Sequence, residues 1–314
     1  MSLSNYPHIG VLLDMLTYCR PAGSASEQVF IHKYVATLPG AEPDACRNWH
    51  VHVGPEDHPV LWSCHTDTVH RRTDAARQTV HVSKQGFVRL SRKAQRHSSC
   101  LGADDTAGVF LLREMILAGV AGHYTFHYGE EVGGIGSRDL VATYPAWCQR
   151  FQAAIALDRG RCSDVITHQS GGRCCSDDFA DSLIAALGLP LVKATGTYTD
   201  TAEYADIVPE CSNISVGYFG AHSRHEELYL PYLYRLRTAL LQLDQTALRF
   251  SRDPYSYDAD SWHSYCQGIL LDWPEESDVI EIPATDGDRS HDPDADAYLD
   301  PEYAAVVRAL RLVK

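Results

Sequence analysis

The sequence has no run of about 18 apolar residues, the length that a membrane-spanning helix requires. Its ten cysteines are spread over 314 residues and include no CxxC pair at zinc-ribbon spacing, so a disulfide scaffold or zinc ribbon is excluded. The apolar stretch near the N-terminus also lacks the basic segment of a signal peptide, because Arg20 is the first Lys or Arg. We therefore expect a soluble, cytoplasmic protein with reduced thiols and no membrane partner.

Basic residues are scarce, with 27 Lys and Arg against 41 Asp and Glu, and the formal net charge is -14. Most of the acidic excess lies in residues 251–300, which contain 14 acidic and 2 basic side chains. A protein that binds nucleic-acid phosphates needs the opposite balance, so we expect no nucleic-acid partner. The change in composition predicts a catalytic domain over residues 1–250. An acidic C-terminal extension, 251–314, follows it and ends in a helix from Pro301.

Helical and strand patterns alternate along the first 250 residues. Helical periodicity or capping predicts helices over residues 9–16, after Ser24, after Asp105, from Ser137, over 176–187 and over 233–243. Short apolar runs predict strands at 60–63, 124–127, 153–157 and 213–219, and residues 78–91 alternate as in a hairpin. This alternation indicates an α/β fold, a three-layer sandwich in which a mostly parallel central sheet is flanked by helices.

Histidine and carboxylate residues follow the predicted strands at their C-terminal ends, where open α/β sheets bind ligands. These segments are His65 to Asp67, Asp104-Asp105, Glu130-Glu131, Asp158 and His222. Two imidazoles and several carboxylates at one sheet edge suit zinc or a similar divalent metal. A single such residue would be unremarkable, but five successive strand ends indicate a metal centre.

The strings HTDTV, LGADDTAG, GEEVGGIGS, ALD and AHSRHEE resemble those of the co-catalytic dinuclear zinc exopeptidases, the clan of tripeptide aminopeptidases, bacterial leucyl aminopeptidases and related deacylases. The resemblance extends from about Val60 to Leu230. It implies two Zn²⁺ ions, with Mn²⁺ or Co²⁺ as possible replacements, and hydrolysis by metal-bound hydroxide. The implied ligands are His65 and Asp158 for one ion, Glu131 and His222 for the other, and Asp104 as the bridge. Asp67 would lie behind His65, and Glu130 would be the general base.

The chemistry of these residue types agrees with the implied roles. Two Zn²⁺ ions bring four positive charges, and three carboxylate ligands with one hydroxide neutralise them. Such ions lower the pKa of bound water enough to produce a nucleophile near pH 7. Asp67 can accept the second N–H of the His65 imidazole and so fix its tautomer. The side chains of Glu130 and Glu131 diverge, which leaves one to bind metal and the other to accept a proton.

Several alternatives remain open at this stage. Asp104 and Asp105 could simply cap the helix that follows them, although the clan implies a cis peptide between them. His225 competes with His222 as the last ligand. Asp200, in the string GTYTDT, is either a group that grips a substrate amine or part of an Asx turn. The glycines at 133, 134 and 136 lack the GK[ST] of a phosphate loop, so they are better explained as a helix entrance. Cys174 and Cys175 are expected to be buried thiols.

The spacing between the last two predicted ligands bears on the substrate. Only 63 residues separate Asp158 from His222, too few for the dimerisation lid of the deacetylase and carboxypeptidase branch. This favours a compact aminopeptidase that releases N-terminal residues from peptides, with homo-oligomerisation possible. An N-acyl amino acid deacylase or carboxypeptidase is the alternative, and it would grip a free carboxylate with an arginine such as one of Arg159, Arg161, Arg173 and Arg224. A non-catalytic binding module on the same fold is a third class.

Overall fold

The computed structural model describes residues 3–256. Thirteen strands lie in this part of the chain: β1 Glu42–Pro43, β2 Trp49–Val53, β3 Val60–His65, β4 Val80–Val82, β5 Phe87–Leu90, β6 Gly122–His127, β7 Ala153–Arg159, β8 Asp164–Gln169, β9 Gly172–Arg173, β10 Val192–Thr195, β11 Glu210–Ser215, β12 Tyr218–Phe219 and β13 Glu227–Tyr229. Seven α-helices accompany them: α1 Ile9–Met15, α2 Ala25–Tyr34, α3 Ala103–Leu117, α4 Ile135–Thr143, α5 Pro145–Cys148, α6 Asp177–Leu187 and α7 Leu230–Leu241.

A nine-stranded sheet forms the centre of the fold, in the order β1-β2-β6-β3-β7-β11-β8-β10, with β9 paired to β8. The four middle strands, β6, β3, β7 and β11, are mutually parallel, whereas β2 and β8 run antiparallel to their neighbours among them. Strands β3 and β6 are buried along their whole length, as expected for parallel strands covered on both faces. The α/β class with a mostly parallel sheet flanked by helices is therefore confirmed.

The hairpin predicted over residues 78–91 is present as β4 and β5. These strands form a separate four-stranded antiparallel sheet with β12 and β13, in the order β12-β13-β5-β4. Strand β13 pairs with β5 and leads directly into α7, so the hairpin is held beside the C-terminal end of the main sheet. Between Asp158 and His222 the chain forms strands of the main sheet, α6 and the short strand β12 of the second sheet, and this described segment contains no lid domain.

Helix α3 is the central helix of the core, and almost all of its residues are buried. It packs on β3 and β7 so closely that Gly108 has no room for a side chain. A Cβ atom there would lie 2.2 Å from the carbonyl oxygen of Leu157 and 2.4 Å from the Asp105 carboxylate. This close approach fixes the start of α3 against the end of β7, where Asp158 lies.

The structure refines several predicted element boundaries. Helix α1 ends at Met15, ahead of Pro21 and Gly23. The predicted strand over 213–219 is two strands, β11 and β12, because Gly217 adopts a φ of 98° between them. Strands β2, β8 and β10 were not predicted: β8 and β10 lack a clear apolar alternation, whereas WHVHV of β2 does alternate and was not assigned. Ser24 caps α2 as expected, accepting a hydrogen bond from the Glu27 N–H at 3.1 Å.

The predicted acidic extension and terminal helix lie outside the described residues, apart from 251–256. The division at Phe250 therefore remains a prediction. Within the described part of the chain, no helix combines the length and the apolarity needed to cross a membrane.

Candidate metal centre

Parallel strands bring three of the predicted ligands, His65, Glu131 and Asp158, to one edge of the sheet, whereas the strand expected before Asp104 is absent from this described part of the chain and His222 follows β12 of the second sheet. Strand β3 ends at His65, β7 carries Asp158 near its end, and β6 ends three residues before Glu130. Asp104 lies in the first turn of α3, where its own backbone is not helical and its peptide bond to Asp105 is cis, as the resemblance implies. His222 follows β12 and adopts a left-handed φ of 63°.

The first cluster consists of His65, Asp104 and Asp158. The Nε2 atom of His65 lies 3.1 Å from Oδ1 of Asp104 and 3.5 Å from Oδ1 of Asp158. The His65 side chain is almost completely buried, with 1% of its surface exposed. One ligand atom from each of the three residues lies within 4.8 Å of the other two, which is close enough to surround a single cation.

The second cluster consists of Asp104, Glu131 and His222. The Nε2 atom of His222 lies 3.2 Å from Oδ2 of Asp104 and 3.1 Å from Oε2 of Glu131. Asp104 thus directs one oxygen to each cluster, which is the arrangement expected of a bridging carboxylate. His222 is more open to solvent than His65, with 56% of its side chain exposed.

The donor set fits two divalent cations of the zinc type. Each cluster offers three imidazole or carboxylate ligands. Catalytic zinc sites typically have three protein ligands and leave one position to water or substrate. In addition, Oε1 of Glu131 is buried without any hydrogen-bond partner, although a buried carboxylate oxygen normally has one. A cation at this position would satisfy that oxygen.

Asp67 connects the His65 loop to the loop that carries the two glutamates. Nδ1 of His65, the ring nitrogen remote from the ligand cluster, lies 3.2 Å from the carbonyl oxygen of Asp67 and 3.4 Å from its Oδ1 atom. The same carboxylate accepts the backbone N–H groups of Glu130 and Glu131, each at 3.2 Å. Asp67 is fully buried and therefore orients the His65 ring and both glutamates together.

The carboxylates at this edge hold protons strongly in the absence of cations. Burial, together with the charges of Asp158, Asp200 and Glu131, raises the pKa of Glu130 to about 10. Burial also raises the pKa values of Glu131 and Asp158. Divalent cations would reverse this effect, because a nearby positive charge favours the ionised carboxylate.

The imidazoles carry protons for the complementary reason. Hydrogen bonds to Asp104 and Glu131 raise the pKa of His222 to about 11. Burial opposes protonation of His65, but its carboxylate neighbours, Asp158 foremost, raise its pKa well above the ordinary value. Burial likewise disfavours the Asp104 carboxylate, yet hydrogen bonds with His222 and His65 hold its pKa below the ordinary value. The raised pKa values of both imidazoles mean that protons compete with a cation for these nitrogen atoms.

Residues that sequence reasoning did not assign hold the ligands in place. Oδ2 of Asp158 accepts the Thr199 hydroxyl at 2.6 Å, and the Tyr218 hydroxyl lies 3.4 Å from Oδ1. The Glu226 carboxylate accepts the backbone N–H groups of Gly102 and Asp104 at 2.8 and 2.9 Å, which fixes the bridging residue. Glu226 was detectable only as part of the H-S-x-x-E string.

Arg20 is a further residue with no signal in the sequence. It is completely buried, donates to the carbonyl of Thr66 at 2.8 Å and to the Thr106 hydroxyl at 3.0 Å, and lies over the Phe30 ring. Arg20 therefore connects the loop after His65 to the first turn of α3.

The structure gives positions for the residues whose roles the sequence left open. Asp105 accepts the Gly108 N–H at 2.8 Å, so it has the capping role while Asp104 faces the clusters. His222 lies in a ligand cluster, and His225 lies in none of those formed by described residues. Asp200 is 1% exposed and accepts the Ser137 hydroxyl at 2.5 Å, while its Oδ2 atom is buried without a hydrogen-bond partner, so both interpretations of this residue stay predictions. Cys174 and Cys175 are buried, as expected.

Several solved structures with the same fold are named as peptidases. A tripeptidase from Staphylococcus aureus superposes with a TM-score of 0.58 at 14% identity, covering 76% of this chain and 97% of its own. The TET1 peptidase of Pyrococcus horikoshii, described as assembling into a tetrahedron or an octahedral shell, gives 0.56 at 15% identity, with 75% and 99% covered. Aminopeptidase PepT from Bacillus cereus gives 0.56 at 10% identity, with 74% and 96% covered. No protein-family model and no curated protein sequence matches the chain. The likeness shows that the chain has the fold of these peptidases.

Proposed function

We propose that the protein is a metal-dependent aminopeptidase with two zinc ions, held by His65, Asp104 and Asp158 and by Asp104, Glu131 and His222. The observation that carries the proposal is the position of Asp104, whose two carboxylate oxygens lie 3.1 and 3.2 Å from the Nε2 atoms of His65 and His222. When bound, the ions would supply Lewis-acid activation of water and of the scissile carbonyl.

Glu130 is the proposed proton carrier. Its backbone is fixed by Asp67, and its side chain is near enough to the Asp158 and Glu131 carboxylates for their charges to raise its pKa. With the centre loaded, Glu130 would be ionised, take the proton of the attacking water and later give it to the leaving amine. Its neighbour Glu131 is the proposed ligand, because its Oε2 atom lies 3.1 Å from Nε2 of His222.

The compact segment between Asp158 and His222 favours an aminopeptidase over the lid-containing branch. The solved structures that share the fold are named as aminopeptidases and tripeptidases, which supports peptides as substrates. Assembly into a homo-oligomer is proposed on the same basis, since the TET1 peptidase forms large shells. A cytoplasmic location remains part of the proposal.

A panel of substrates tests the proposal directly. Zinc-loaded protein is assayed on aminoacyl amides and on di- and tripeptides with a free N-terminus, with the N-acetylated peptides as matched controls. Release of the N-terminal residue from the free peptides alone is the expected result. Preferred hydrolysis of the N-acylated compounds would instead identify a deacylase or carboxypeptidase, and no hydrolysis by metal-loaded protein would contradict the peptidase assignment.

A further inference from the structure

A second group of metal-ligating side chains lies at the opposite end of strand β6. His123 and His52 are directly paired across β6 and β2, and Glu56 is in the loop that follows β2. His123 precedes His127 by four residues, so at about 3.3 Å per residue it lies roughly 13 Å from the end of β6 that leads to Glu130. The group is therefore separate from the candidate metal centre.

The ligand atoms of these three residues converge. One ligand atom from each of His52, Glu56 and His123 lies within 4.8 Å of the other two, and Nδ1 of His52 is 3.5 Å from Oε1 of Glu56. The two imidazole rings are stacked, with centroids 4.4 Å apart and planes inclined by 27°. The His52 and Glu56 side chains are 26% and 83% exposed, and Nε2 of His52 lies 2.8 Å from the Pro55 carbonyl oxygen, which leaves Nδ1 as the nitrogen that faces Glu56.

A cation already occupies this position in the form of Arg150. Its Nη2 atom donates to the Glu56 carbonyl at 2.5 Å, lies 3.2 Å from Nε2 of His123 and lies 3.6 Å from Oε2 of Glu56. The Arg150 side chain is 38% exposed, so it can leave toward solvent. Glu56 thus presents carbonyl and carboxylate oxygens to a cation, and Nε2 of His123, which lies 3.1 Å from the Glu56 carbonyl oxygen, would have to leave that contact to bind a metal.

The surroundings also fit a hydrated cation. The same residues line a cavity of about 380 Å³ between β2 and the α4–α5 segment, large enough for several water molecules. Glu42 and Asp44 line it as well, so its carboxylates outnumber Arg150. Burial lowers the pKa of His123 to about 4, which keeps its imidazole in the neutral form that binds metals.

We propose that His52, Glu56 and His123 form an additional binding site for a divalent transition-metal ion of the zinc, nickel or copper type, which binds in exchange for Arg150. A site with two imidazoles and one carboxylate suits such ions better than it suits Mg²⁺ or Ca²⁺, which bind mainly to oxygen ligands. Three protein ligands leave the remaining positions to water from the cavity.

The site is tested by counting ions in untagged full-length protein after equilibrium dialysis against Zn²⁺, with elemental analysis. The wild type is compared with His52→Gln and Glu56→Gln, and the same pair of changes is made in an Asp104→Ala background. Each change is expected to remove one ion per chain or to weaken its binding by at least the roughly 10-fold that loss of a residue behind a metal ligand costs. Peptidase activity of the two single variants should equal that of the wild type.

Two further variants make the test specific. His81, an exposed histidine of β4, belongs to no ligand cluster among the described residues, so His81→Gln should leave the count unchanged. Arg150→Met removes the competing cation and should tighten binding about 10-fold. Equal ion counts in the wild type, His52→Gln and Glu56→Gln would overturn the proposal, and so would equal loss in His81→Gln. Because the Asp104→Ala background is read separately, failure of the main metal centre would not mimic either result.

Discussion

The carboxylate of Asp67 accepts the backbone N–H of Glu130 at 3.2 Å. Through this bond, and through its 3.4 Å contact with His65, one buried side chain orients both a proposed metal ligand and the proposed general base. A change at Asp67 is therefore expected to alter both the position of the ligand His65 and the position of the proposed base Glu130.

Asp67→Asn is the variant that tests this coupling. Asparagine keeps the size of the side chain but loses the charge and one of the acceptors for the His65 ring and the two backbone N–H groups. We expect kcat or zinc affinity to fall about 10- to 100-fold. Glu114→Gln is the matched control, because Glu114 is also a buried carboxylate but pairs with Arg237 outside the site. Unchanged zinc content and kcat in Asp67→Asn would contradict the role given to Asp67.

The bridging position of Asp104 leads to a distinct pattern of metal content. Asp104→Ala removes a ligand from both clusters and should reduce occupancy at both positions, whereas Asp158→Ala should mainly weaken one. Elemental analysis after dialysis against limiting zinc measures the difference. Glu114→Ala provides the control, since Glu114 lies on the same helix, α3. Equal metal content in Asp104→Ala and the wild type would show that this carboxylate is not a ligand.

Three of the proposed ligands could be predicted from strand ends, because His65, Asp158 and Glu131 lie at or just after the ends of the parallel strands β3, β7 and β6. Asp104 lies in the first turn of α3 and His222 follows β12 of the second sheet, so these two were assigned by the resemblance of their strings and not by strand ends. The partners of these residues could not be predicted in this way. Arg20 reaches Thr66 and Thr106 only through tertiary packing, and no local pattern marks a buried arginine.

The fold shows the same limit. A fully buried strand such as β3 is marked by an apolar run, whereas β2, with the sequence WHVHV, shows only the short alternation of a half-buried strand, which does not identify its partner. The pairing of β2 with β6 is a tertiary contact, and the sequence of β2 alone does not identify β6 as its partner. The additional histidine group arises from this pairing, and sequence spacing gave no indication of it.

Glu130→Gln separates proton transfer from metal binding. Glutamine has the shape of the glutamate but cannot accept the proton of the attacking water, so kcat should fall about 100-fold or more while zinc remains bound. Glu131→Gln should instead lower zinc content, because Glu131 contacts His222 and carries the unpaired buried oxygen. Steady-state kinetics with zinc analysis distinguishes the two, and the reverse outcome would exchange their roles.

Metal binding should release protons and strengthen as pH rises. His222 has a pKa of about 11 and Glu130 of about 10 without metal, so both are protonated at pH 7, as is His65. Ligand imidazoles must lose their protons to bind zinc, and cations lower the pKa of a nearby carboxylate. Calorimetric zinc titrations at pH 7 in buffers of different ionisation enthalpy should therefore show net proton release, and affinity should increase from pH 6 to pH 8. Zinc binding without proton release would contradict the protonated clusters.

The last prediction concerns where the catalytic domain ends. The carboxylate of Glu210 accepts the backbone N–H groups of Ser251 and Arg252 at 2.8 and 2.9 Å, and the Arg252 guanidinium donates to the carbonyl of Pro209 at 2.8 Å. A chain cut after Phe250 loses these bonds, and a chain cut after Ser256 keeps them. Since a hydrogen bond to a charged group contributes about 1.5 to 3 kcal/mol, the shorter form should have a lower free energy of unfolding by about 2 kcal/mol or more.

Both forms should bind zinc and retain some peptidase activity, because all proposed ligands lie before residue 223. Denaturant unfolding and zinc analysis of the two forms check this, and a folded 1–256 chain that binds no zinc would show that the acidic extension supplies part of the site.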